Sequence, residues 1–251
     1  MKEKIRTGAV SYLNTKPLIY GFEQGMMKDE IELTFDYPSK IAQALLLNTI
    51  DIGLLPVAAI PDLPESHIIS DYCIGCDGEV ASVCLFSEVP LEQIETILLD
   101  YQSRTSVELV KILMKKYWKI NPLIQKATEK FMHEIKGTTA AVVIGDRAFE
   151  QRKKSAFCYD LGQAWKDFTG LPFVFAAWVS NKKMPDKFIS AFNEANKKGI
   201  SNLEAVLKNL FCKSFDLESY YTKYVSYELD EQKLKGLSLF LEYLKEAKKE
   251  A

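Results

Sequence analysis

The sequence predicts an α/β protein of two lobes with a cleft between them. Three observations carry this. Short β-branched apolar runs alternate with helix-period segments, a second alternation begins at ETILLD (95–100), and a long extended run, GLPFVFAAWVSN (170–181), can return the chain to its first lobe. With 251 residues, 47% of them hydrophobic, there is material for one large core or two modest ones.

In the first lobe IRTGAV (5–10), IELTFDY (31–37) and IDIGLLPV (50–57) read as strands of a largely parallel sheet, with the amphipathic PSKIAQALLL (38–47) between the last two. Ser39 can cap that helix, and Asn14 stands before Pro17 at another helix start. EVASVCLFS (79–87) reads as a crossover strand. SRTSVELVKILMKKY (103–117) follows ETILLD as a helix, and AAVVIGD (140–146) continues the second unit. The run at 170–181 is the second crossover. KFISAFNEANKKG, LEAVLKNLF, LESYYTKY and EQKLKGLSLFLEYLKEAK then read as helices whose role is packing, the last with an apolar stripe at Leu234, Leu237, Leu241 and Leu244. The expected division is 1–86 with 175–251 as lobe one and 87–174 as lobe two. Two such units joined by two extended crossovers form the architecture of type II periplasmic binding proteins, which hold ligands between lobes.

Composition excludes several function classes. Thirty-two basic residues against 34 acidic leave a net charge of −2, without the basic footprint of a nucleic-acid binder. No apolar run is long enough to span a membrane, and the first residues lead straight into a strand with no signal-peptide core, so a cytoplasmic location and no membrane partner are expected. The five cysteines are expected as free thiols. Cys73 and Cys76 form a CxxC, but a zinc or redox reading needs a second ligand pair or a thioredoxin-like unit, and the chain has only two histidines, His67 and His133. No metal and no cofactor are expected.

Several segments in order resemble the chorismate dehydratase family: GAVSYLNTKPL (8–18), Pro38-Ser39, DIGLLP (51–56), Cys73-Ile-Gly75, GEVAS (78–82), DYQSRTS (100–106), Ile144-Gly-Asp146, and Leu171-Pro-Phe173 with Trp178. The similarity runs from residue 8 to about 180. It implies a two-lobed periplasmic-binding-protein-like fold, no metal or organic cofactor, and removal of water from chorismate to give 3-[(1-carboxyvinyl)oxy]benzoate in menaquinone biosynthesis by the futalosine pathway. Cys76 departs from the small residue of the family, which supports an accidental CxxC. A related dihydroxynaphthoate synthase shares the fold but has a Ser-Pro-Cys-Pro-Asn-Asp loop where this chain reads Ser11-Tyr-Leu-Asn-Thr15.

The reaction asks the protein to hold two carboxylates, stabilise growing negative charge and help hydroxide leave. Helix N-termini suit the first two tasks. Ser103, Arg104, Thr105 and Ser106 are therefore expected at the substrate, with capping as the alternative for the hydroxyls and solvent for Arg104. The resemblance places Asn14 in a catalytic role against a plain cap. Ser82 joins it if its hydroxyl faces the cleft rather than the strand surface. Ser11, Tyr12, Ser39, Pro56, Gly145 and Asp146 complete the expected substrate contacts, although Asp146 and Arg147 can equally pair with one another or with backbone. Two other classes compete: a solute-binding module without catalysis and a ligand-sensing domain of the same fold. The sequence says nothing of oligomeric state.

Overall fold

The computed structural model describes residues 3–208 and 210–250. In chain order the strands are β1 (Ile5–Val10), β2 (Ile31–Asp36), β3 (Ile52–Pro56), β4 (His67–Cys76), β5 (Val83–Ser87), β6 (Thr96–Leu99), β7 (Leu123–Lys126), β8 (Thr139–Ile144), β9 (Phe157–Asp160), β10 (Phe173–Ser180) and β11 (Ser226–Glu228). The α-helices are α1 (Lys16–Glu23), α2 (Pro38–Leu46), α3 (Thr105–Leu113), α4 (Asp146–Gln151), α5 (Leu161–Thr169), α6 (Asp186–Ile200), α7 (Leu203–Leu207), α8 (Leu217–Ser219) and α9 (Glu231–Glu250).

They build two sheets, β11-β4-β10-β3-β1-β2 and β7-β6-β8-β5-β9. β1 runs parallel to β2 and β3, as the alternating pattern demands, while β10 lies antiparallel between β3 and β4. The antiparallel insertion follows from the chain path, because β10 arrives from the other sheet and not through a βαβ crossover. In the second sheet β6 is parallel to β7 and β8, and β5 is antiparallel to β8 and β9.

Sheet pairing refines the expected division. Residues 83–87, read from sequence as a crossover strand, pair with β8 and β9, so the first crossing is only the segment 77–82 between β4 and β5. The second crossing is helical: α5 follows β9, ends at Gly170 with φ +73°, and β10 already pairs with β4 from Phe173. The expected boundaries at 86/87 and 174/175 thus fall inside β5 and β10.

A single large apolar cluster runs through both sheets, including Leu55, Leu85, Val142, Trp165 and Trp178, and a smaller one of Phe86, Leu98, Phe131 and Val143 backs the second sheet. α9 buries Leu237 and Leu244 of the expected stripe together with Lys233 and Phe240, while Leu234 is 45% exposed and Leu241 only partly covered. The 3.6-residue period admits either phase, and contact decides it. Gly236 comes so close to Pro172 that a Cβ would lie 2.1 Å from its carbonyl oxygen. Among the described residues no helix is long and apolar enough to cross a membrane.

Candidate functional site

A cavity of about 50 Å³ opens where the strand ends of the two sheets meet. Val10, Ile74 and Phe175 of the first sheet and Val83 and Ile144 of the second form its apolar walls. The polar lining is Tyr12, Asn14, Ser103, Thr105, Ser106 and the backbone at Gly145, with Pro38 and Pro56 at the edge. No lining side chain is a carboxylate, an imidazole, an amine or a thiol.

The loop after β1 carries Tyr12 and Asn14 across the mouth. Tyr12 packs its ring over Gly145 and donates its hydroxyl to Gln102 Oε1. Burial raises the Tyr12 phenol above its usual pKa, so it stays a neutral donor. Gly145 has φ +65° and ψ −153°, a combination essentially confined to glycine, and a Cβ there would meet three Tyr12 ring atoms at 3.0 Å. Leu13 N–H donates to Asp146 Oδ1 (3.1 Å), and Ser39 donates from its N–H to Gln102 O (3.1 Å) and from Oγ to Tyr101 O (3.2 Å). These bonds latch the loops of one sheet to those of the other. Beneath them Asp100 accepts from Arg147 Nη2 at 2.6 Å, Gln102 N–H at 3.1 Å and Ile144 N–H at 3.2 Å. Arg147 also reaches Gln102 Oε1 (2.8 Å).

The α3 start divides its labour. Ser103 Oγ accepts from Ser106 N–H (3.0 Å) and is the cap. Thr105 Oγ1 donates to Phe175 O (3.0 Å) and accepts from Ala58 N–H (3.3 Å), tying the helix to the first sheet. Ser106, nearly buried, presents its hydroxyl to the cavity.

Of the residues expected from sequence, Tyr12, Asn14, Pro56, Ser103, Thr105, Ser106 and Gly145 line the cavity, and five do not. Ser11 is exposed, on the outward side of its loop. Arg104 turns away from the cavity to pair with Asp62 (3.5 Å), because successive positions at a helix start point in different directions. Ser39 and Asp146 serve the latch, and burial raises the Asp146 carboxyl above its usual pKa. Ser82 lies behind Val83 with its side chain fully buried. Its hydroxyl accepts from Tyr220 (2.8 Å) and its carbonyl accepts from Gly145 N–H (2.8 Å).

The C-terminal segment, expected only to pack, in fact grips this site. Besides the Tyr220 bond to Ser82, Tyr221 donates to Leu13 O (2.9 Å) and Tyr227 to Asn14 O (2.9 Å). Burial raises all three phenols, which therefore remain neutral. The only sequence signal for them is the density of tyrosine in 220–227.

The crossing beside Ser82 is clamped as well. Ala81 adopts φ +63°, a strained conformation for alanine, held by Asp160, which accepts from Val80 N–H (3.1 Å) and Ala81 N–H (2.8 Å) and also caps α5 through Gly162 and Gln163 N–H. Cys73 and Cys76 sit on β4 in the core, where burial pushes the Cys73 thiol up to about 12 and Cys76 well above its usual value. Among the described residues no group of three or more His, Cys, Asp or Glu side chains could hold a metal ion.

Residues 5–246 match a family described as menaquinone biosynthesis. A chorismate dehydratase from Thermus thermophilus is 28% identical over 94% of each chain. Among solved structures, protein AF1704 from Archaeoglobus fulgidus superposes with a TM-score of 0.76 at 16% identity, covering 99% of this chain and 98% of that one. The Candida albicans CA3427 product, described as having the generic periplasmic binding protein fold, gives 0.61 at 14% identity over 97% and 90%. With a family match over nearly its whole length and the two-sheet fold of periplasmic binding proteins, the chain belongs to the menaquinone biosynthesis family.

Proposed function

We propose that the chain is a hydro-lyase that converts chorismate to 3-[(1-carboxyvinyl)oxy]benzoate in the cytoplasm, without metal or organic cofactor. The observation that carries this reading is a cavity lined by an amide, hydroxyls and the start of α3, with no carboxylate, imidazole, amine or thiol in its wall. Such a wall suits a dianion: the unpaired N–H groups and positive dipole end of α3 favour a carboxylate, and Ser106 and Asn14 supply hydrogen bonds. The similarity to the Thermus thermophilus enzyme supports the same substrate.

Loss of the C3 proton leaves an anion delocalised through the ring diene into the ring carboxylate. Expulsion of the C4 hydroxyl then completes an aromatic ring. A wall without a base assigns the proton to the substrate itself, whose enolpyruvyl carboxylate, held folded over C3, gains the effective molarity of an intramolecular base. Asn14 polarises the substrate. The Tyr220 hydroxyl donates to Ser82 Oγ, which leaves the Ser82 O–H to donate in turn. In this reading the sheets act as lobes, residues 3–76 with 173–250 against 83–160, which close over the substrate through the Tyr12 and Ser39 latch.

The test is to incubate purified protein with chorismate and follow the mass. Loss of one water, with the enolpyruvyl group retained on an aromatic ring, is the expected result. Binding without conversion would overturn it in favour of a solute-binding module.

A further inference from the structure

We propose that Cys158 and Cys84 form an oxidisable dithiol at the crossing 77–82: a hydroperoxide oxidises Cys158, and Cys84 resolves the product to a disulfide. Cys158 is on the edge strand β9, partly exposed at the floor of a surface cleft that it shares with Arg152, Tyr117 and Trp118, so a small oxidant reaches it. Cys84 is wholly buried on β5. Because Cys84 pairs with Asp160 and Phe86 with Cys158, both side chains emerge from one face of the sheet at diagonal positions of the β5–β9 pair. Arg152 lies against the pair, with Nη2 3.3 Å from Cys84 Sγ.

This setting separates the roles of the two sulfurs. Burial holds Cys84 as a protonated thiol, whereas the neighbouring Cys84 thiol and the Arg152 guanidinium lower the Cys158 pKa. The Cys158 thiolate attacks one peroxide oxygen. An S–O bond forms, the O–O bond breaks, and the leaving oxygen takes up a proton, so sulfur loses two electrons and the peroxide gains them. The Cys84 sulfur then attacks Cys158, the S–S bond forms, and hydroxide leaves with the Cys84 proton as water.

The contacts carry this event to the site. Arg152 Nε donates to Ala81 O (2.9 Å) and Nη2 to Asp160 Oδ2 (3.0 Å), the carboxylate that holds the strained Ala81. Diagonal positions lie roughly 7–8 Å apart at Cα, beyond the usual span of a disulfide, so closing the bond draws β9 along β5 and displaces Arg152. Ser82 is the next residue.

The chemical arm of the test is independent of any activity. The full chain is treated with hydrogen peroxide, digested without reduction and read by mass spectrometry. A Cys84–Cys158 cross-link is expected, absent in Cys158→Ser, while Cys84→Ser accumulates a dimedone-reactive sulfenic acid at Cys158. Cys158 remaining alkylatable after treatment, or cross-links formed instead through Cys212, would overturn the proposal. The activity arm rests on the function proposed above: dehydration should fall about 10-fold on oxidation, the scale of a misplaced site group, and return with dithiothreitol. An unchanged rate in the cross-linked protein would refute the coupling to Ser82 and leave the thiol chemistry standing.

Discussion

Replacing Tyr220 by Phe removes one oxygen from a fully buried ring and should separate a positioning role from packing. The ring keeps its edge contact with Phe149, at a centroid distance of 4.9 Å, so no cavity of consequence opens. What disappears is the 2.8 Å bond to Ser82 Oγ, between two fully buried side chains. A buried polar group left unpaired costs about 1–3 kcal/mol, and the Ser82 O–H can still donate, so a net loss of about 1–2 kcal/mol is expected. That is a fall of roughly 3–6 °C in Tm for a chain of this size. The catalytic effect should be larger than stability alone predicts. With Ser82 no longer held by the Tyr220 phenol, kcat should drop about 10- to 100-fold while KM stays within about threefold, because the lost interaction orients groups and does not bind substrate. The assay is steady-state conversion of chorismate alongside a thermal melt. A melt lowered as expected with kcat unchanged would refute the reasoning and reduce Tyr220 to packing.

Gly145→Ala should cost about 2–3 kcal/mol and most of the activity, since the residue must hold φ +65° with a Cβ against the Tyr12 ring; at about 2–4 °C per kcal/mol, a melt within 1 °C of the parent would count against it. Asp51 is pushed up by burial but pulled further down, to about 2, by its bonds to Arg6 and Lys182. Its folded pKa lies below the unfolded value of about 3.9, so its stabilisation is present above about pH 4 and is lost as pH falls toward 2. Asp51→Asn should lose about 1 kcal/mol at neutral pH, a figure reduced for the half-exposed partners, and should flatten the melt-versus-pH curve in that acid window. An unaltered acid slope in the variant would show that other carboxylates dominate.

Much of the site was legible because it is local. The GAVSYLNTKPL and DYQSRTS segments each combine a strand with the turn and helix start after it, and the chemistry of a helix N-terminus follows from the first turn alone. Tyr12, Asn14, Ser103 and Ser106 could therefore be placed at a strand end before any coordinates. Arg104 could not, since neighbouring positions at a helix start differ in direction by about 100°, and only packing says which way the helix is turned. Ser82 is legible as part of the segment before β5, but its burial under Tyr220 joins residues 138 positions apart.

The sequence by itself determined the α/β class, the two-unit order and the turns that carry the hydroxyls and the amide, because hydrophobic period and turn chemistry act within a few residues. Tertiary structure alone decided the phase of α9, the antiparallel seat of β10 between β3 and β4, and the three tyrosine hydroxyls that hold Leu13, Asn14 and Ser82. Each of these depends on which distant surface an element meets. A repeat of 3.6 or 2 residues defines a face and leaves its partner open, so the C-terminal segment reads as packing in the sequence, and its phenols reach Ser82, Leu13 and Asn14 only in the folded chain.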